Sequence, residues 1–295
     1  MRLKRCARSH RQHAKPSISD TAMTPRSPPR QARAVVSGLL ALCIGGAVSA
    51  VARAADYVSI AAGEFASVLA SDAQVKPSSA ATFAMRTTPV TNREFLEFVN
   101  RNPDWARGRV SRVFADTQYL SHWQLARDLG DATLAHQPVT RVSWFAAQAF
   151  CEAERPGGRL PSWLEWERVA AADATHTDAR ANPAWRAEIL SWYGTASSVI
   201  LASVGGTANA YGIQNMHGLI WEWVDDFNAL LVAADSRSQG DPDKLQFCGA
   251  GAISLKDRDN YAVLMRIALL SSLKAVDTTR HLGFRCVIPV SKGPK

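Results

Sequence analysis

The chain has 295 residues, 47% of them hydrophobic, enough for one large domain or two small ones. Its formal charge of +8 is unevenly placed: residues 1–54 hold ten of the 34 Lys and Arg and one of the 26 acidic residues, which leaves 24 basic against 25 acidic. A near-neutral body behind a basic leader removes the physical warrant for binding DNA or RNA.

The leader, residues 1–54, reads as a secretion signal. A basic n-region precedes the apolar run Ala34–Ala50 and the Ala52-Arg53-Ala54 cleavage signal, with Met23 as an alternative start. That run is short and rich in small residues for a membrane span, so Sec export to the periplasm is expected, an uncleaved anchor being the alternative. Cleavage removes Cys6 and Cys43 and leaves Cys151, Cys248 and Cys286. An odd count in an oxidising compartment predicts one bridge and one remaining thiol. The domain then runs over 55–290, with 291–295 as a tail.

Asp56–Ile60 alternates and meets Gly63, which predicts a first strand. Residues 67–81 are a polar loop and Phe83–Thr88 a second strand. Thr91 and Glu94 form a capping box, Val90 can staple onto Phe95, and Phe95, Phe98 and Val99 make the apolar stripe of a first helix that ends near Asn100 and Pro103. Residues 105–136 show no sustained period and read as an irregular insertion. His122, His136 and His176 are scattered through loops and read as solvated side chains. Ser143 caps a second helix on which Trp144, Ala147 and Cys151 recur, so Cys151 faces inward; Gly157-Gly158 ends it. Ser162 and Glu165 cap a third helix with Trp163, Trp166 and Ala170 on one side. A short helix is expected over Trp185–Tyr193, after a polar loop to Asn182.

Asn209–Phe227 is the stretch around which the rest of the chain is organised. Trp221 and Trp223 flank Glu222, so the segment reads as a core strand with a polar obligation: indoles favour burial, and a carboxylate between them must be paired or hold a cation. Trp221 is expected to floor a pocket. Further on come a turn at Gly240–Asp243, the Gly-rich Phe247-Cys248-Gly249-Ala250-Gly251, an apolar Tyr261–Leu270 and a final strand within His281–Val287. Helix is expected in the first half alone, and the class is α+β with little regular structure.

Four stretches in order, Pro89–Val99, Pro138–Glu167, Asn209–Trp223 and Leu282–Cys286 (LGFRC), resemble the formylglycine-generating enzyme family, or sulfatase-modifying factor domain. The resemblance implies a variant of the C-type lectin fold. It also implies a bridge between Cys151 and Cys286, and a structural calcium held by Asn215, Glu222 and the carbonyls of His217 and Leu219. The alternatives are two free thiols, and Asn215 as a turn residue with Glu222 paired with a core arginine such as Arg285. The family's oxidases carry two cysteines with four residues between them, at places that here hold Asp257 and Ala262. Cu(I) selects soft sulfur ligands, so copper-dependent formylglycine formation is not expected. Within the family, Phe247–Gly251 and Ser271–Ala275 look most like accessory proteins of periplasmic copper nitrite reductases. The implied function is therefore a maturation or accessory factor acting on a periplasmic protein client; Cys248 reads either as a small buried hydrophobe or as a thiol contacting copper, alone or with Met265 or His217. Two other readings stand beside it: a cysteine-independent enzyme, such as a tautomerase, built from Asp257, Asp259, Tyr261 and Arg266, and a lectin-like binding module.

Overall fold

Residues 57–69, 78–194, 200–230 and 261–290 are described by the computed structural model. The expectations at Cys248, Asp257 and Asp259 lie outside these residues, as does the side chain of Tyr261. Among the described residues, no helix is long and apolar enough to cross a membrane.

Strand β1 (Tyr57–Ile60) pairs antiparallel with β4 (Phe83–Arg86), in register Tyr57↔Arg86 to Ile60↔Phe83. On its other edge β4 pairs antiparallel with β7 (Val287–Pro289). All four residues of β4 are buried, as suits a middle strand covered on both faces. A second pair joins β2 (Gly63–Phe65) to β3 (Ser78–Ala80), and a third, parallel, joins β5 (Trp221–Glu222) to β6 (Leu282–Gly283). Mixed short strands and helices make this an α+β domain with much irregular chain.

The helices begin where their caps predict. Helix α1 (Asn92–Arg101) starts at a complete capping box of Thr91 and Glu94, and α3 (Trp163–Ala170) at one of Ser162 and Glu165. Helix α2 (Trp144–Glu154) is capped by Ser143, and α4 spans Pro183–Gly194. Phe95 and Phe98 of α1 meet Phe150 of α2 at ring separations of 5.7 and 5.4 Å, and Phe284 closes the cluster at 5.4 Å from Phe150. Beside it Cys151 and Cys286 are disulfide-bonded, their Cα atoms 5.5 Å apart. Gly158 makes the reversal after α2 possible: a Cβ there would lie 2.0 Å from the Cys151 carbonyl oxygen.

Several expectations are corrected. Helix is not confined to the first half, because Tyr261–Ser271 forms α5. Its run is apolar on nearly every side, so no amphipathic period marks it. Asn209–Phe227 is not one strand: left-handed Gly212, Asn215 and Gly218 turn the chain repeatedly, and β5 keeps two residues. The final strand divides into β6 and β7, since each half pairs with a different partner. The 67–81 loop contributes β3. The 105–136 insertion is irregular, as its lack of period implies, and it adds to the core, with Ala115, Tyr119, Leu120 and Trp123 buried. His122 is half-buried there, donating Nε2–H to Asn92 Oδ1 at 3.1 Å, and burial lowers its pKa to about 4.

Candidate functional site

Glu222 is fully buried at the centre of the molecule, in the short β5 strand. Arg285, also fully buried, donates Nε–H to both carboxylate oxygens at 3.0 and 2.9 Å and Nη2–H to Oε1 at 2.8 Å. The Trp166 indole adds an N–H to Oε2 at 2.7 Å. The same guanidinium reaches the carbonyls of Gln214 and Asn215 at 3.0 and 3.2 Å, which fixes the turn leading into β5. From α5, Arg266 donates to the backbone carbonyl of Glu222 and lies 3.5 Å over the Trp166 ring. Arg285 and the Trp166 indole therefore meet the polar obligation that burial between two tryptophans places on the Glu222 carboxylate, and Arg266 satisfies its backbone carbonyl.

That geometry bears on the residues expected to hold calcium. Asn215, at φ 56°, accepts the Gly205 N–H at 2.8 Å and donates to the Gly205 carbonyl at 2.9 Å. Its side chain acts as a turn clamp. Glu222 has both oxygens on cationic and indole N–H donors. Calcium takes six to eight oxygens and gains nothing from an adjacent guanidinium, so the residues present do not fit it. The remaining expected ligands are the carbonyls of His217 and Leu219, which two engaged side chains do not complete.

On α5 the position expected to replace an oxidase cysteine, Ala262, is 5% exposed, beside buried Val263 and Ile267. Arg266 is 1% exposed and packed into the core, so it offers structure rather than an acid or base to solvent. Met265 is on the outer side of α5, 45% exposed. Trp221 is half-buried; its backbone N–H donates to the His281 carbonyl at 2.7 Å. It is not among the residues that line the cleft between α4 and residues 200–219.

That cleft lies elsewhere, between α4 and residues 200–219, with a volume of about 760 Å³. Trp185, Glu188 and Trp192 enter it from one face of α4, Asp173 from the loop after α3, and His217 from the turn before β5. Both indoles converge on the imidazole: Trp185 at 5.8 Å and nearly perpendicular, Trp192 at 6.5 Å and tilted by 31°. Gly218 permits this, because φ is +85° and a Cβ would lie 2.7 Å from the Trp192 ring. His217 Nε2–H donates to the Ala170 carbonyl at 2.7 Å. Burial, with Arg266 and Arg285 nearby, lowers its pKa to about 4 against the opposing pull of that hydrogen bond and of Glu222, so the ring is neutral at pH 7. Asp173 accepts the N–H groups of Thr175 and His176 at 2.8 and 2.6 Å, which lower its pKa to about 2. The i, i+3, i+7 spacing of Trp185, Glu188 and Trp192 is the one sequence signal for this cleft, and in sequence it reads equally as core packing.

The family description "Sulfatase-modifying factor enzyme 1-like domain" matches residues 46–290. The hercynine oxygenase of Mycolicibacterium smegmatis is 30% identical over 168 residues, covering 48% of this chain and 36% of that protein. The formylglycine-generating enzyme of Streptomyces coelicolor is 31% identical over 172 residues, covering 51% and 52%. The chain thus spans roughly a third to a half of the length of these relatives. Among solved structures, CarF aligns over 80% of this chain and 99% of its own at 16% identity and a TM-score of 0.43.

Proposed function

We propose that this chain, which belongs to the sulfatase-modifying factor enzyme 1-like family, is an exported, non-oxidase member that assists the maturation of a periplasmic metalloenzyme such as a copper nitrite reductase. One observation carries the non-oxidase part. Cys151 and Cys286 are bonded to each other, which uses two of the three cysteines beyond the leader. A Cu(I) dithiolate needs two thiolates at one place, and Asp257 and buried Ala262 supply none.

The accessory role is supported by the sequence likeness at Phe247–Gly251 and Ser271–Ala275, and by the engagement of Arg266 in the core. On this reading the protein binds its client and Cys248 provides one soft ligand to copper in transit. The test is the copper content of nitrite reductase purified from cells with and without this chain, complemented by the wild type or by Cys248→Ser. Lower occupancy without the chain, restored by wild type but not by the serine variant, is expected. Equal occupancy in all strains would remove the proposal.

A further inference from the structure

The cleft beside α4 has a chemistry that the proposed maturation role does not use. Its walls are two indoles on one helix face, Trp185 and Trp192, the latter 40% exposed with Gly218 and the imidazole beneath it. Its floor is the uncharged ring of His217. Among the described residues, the charged side chains that line it are the carboxylates of Asp173 and Glu188, and no lysine or arginine does so. Glu188 is exposed on α4, three residues after Trp185 and four before Trp192, so its carboxylate shares their face.

Each feature selects the same kind of ligand. Indole faces carry negative quadrupole potential and attract a cation, more strongly when water is displaced from around it. Strongly hydrated ammonium ions lose much on entering such a place, whereas a methylated ammonium presents a weakly hydrated, greasy cation. A neutral floor adds no repulsion of its own, and carboxylates at the rim supply long-range attraction. Anionic ligands, by contrast, meet Asp173 and Glu188 with no basic group among the lining residues to receive them.

We infer that this cleft binds a small methylated ammonium compound, its cationic head held between Trp185 and Trp192 over His217 and its charge balanced by Glu188 and Asp173. The compound is a free one without an anionic group. None of the residues lining the cleft belongs to α5, and the binding is measured without a client.

Tryptophan fluorescence and calorimetric titration of the full chain with choline chloride test this, with 3,3-dimethyl-1-butanol as a neutral probe of the same shape. Saturable choline binding, at least tenfold tighter than that of the alcohol, is expected. Trp192→Ala should weaken it about tenfold or more, Trp192→Phe less, and Glu188→Gln severalfold. Both positions are exposed, and unchanged melting temperatures would show the variants folded. Equal binding of choline and the alcohol, or choline binding indifferent to Trp192→Ala in a folded variant, would overturn the assignment. Absence of choline binding would do so too, including the case in which a trimethyllysine peptide alone binds and the cleft holds a protein tail.

Discussion

Glu222 and Glu188 are both carboxylates set among tryptophans, yet their surroundings give them opposite characters. Glu222 is sealed in, and both of its oxygens have donors from Arg285 and Trp166. Glu188 stands at an open rim, beside two indoles that face the cleft. An acid beside indoles can thus be a finished piece of core or a place for a cation, and the donors already present decide which. His217 joins the two regions, its ring 5.8 Å from Trp166 on the core side and 5.8 Å from Trp185 on the cleft side.

The contrast predicts where damage is greatest. Arg285→Met strands the Glu222 charge in a dry interior and should cost about 3–5 kcal/mol in urea unfolding. A cost below about 1 kcal/mol would show that Glu222 has another cation partner, and would return calcium to consideration. Next in size is the disulfide. A Cys151→Ser, Cys286→Ser double variant should lose roughly 2–5 kcal/mol of stability in thermal melting, near the upper end in the chain-entropy model because the bridge closes 135 residues. Its Trp185 and Trp192 fluorescence response to choline should persist below the new midpoint, since neither cysteine lines the cleft.

Smaller effects sharpen the same picture. Thr91→Ala removes one half of a complete capping box and should cost about 1 kcal/mol. Its effect on the cleft should be nil, which an unchanged choline affinity would verify. Smallest is calcium. If Glu222 is satisfied by Arg285, adding a chelator or millimolar calcium should leave the melting temperature unmoved, because a ligand stabilises only in proportion to its binding to the folded state. A calcium-dependent rise of several degrees would contradict the pairing at the core.

The parts legible in the sequence are those set by local chemistry. The capping boxes at Thr91 and Ser162 and the inward face of Cys151 rest on side chains bonding within three residues of themselves or on helical spacing, and they are where the sequence places them. The pairing of Cys151 with Cys286 comes through the family likeness, and the structure holds that bond. Longer-range arrangements are hidden. The apolar run of α5 lacks the polar side that would announce a helix. Asn215 is legible as a turn residue, and its left-handed φ explains why the expected strand breaks there. Glu222 is legible as a carboxylate in need of a partner, while its choice of Arg285, 63 residues away, depends on β5 lying parallel to β6. The cleft escapes the sequence because tryptophans two turns apart look the same whether they face a core or a void.

If the proposed non-oxidase reading holds, this family member does not perform the copper-thiolate oxidation of a substrate cysteine. The most direct test is mass spectrometry of a sulfatase-derived cysteine peptide after incubation with the purified, copper-loaded full chain in air. The cysteine should be recovered intact, or only as its ordinary disulfide. Multiple-turnover conversion of that cysteine to formylglycine would contradict the reading that Asp257 and Ala262, which are not thiols, leave no copper-thiolate site.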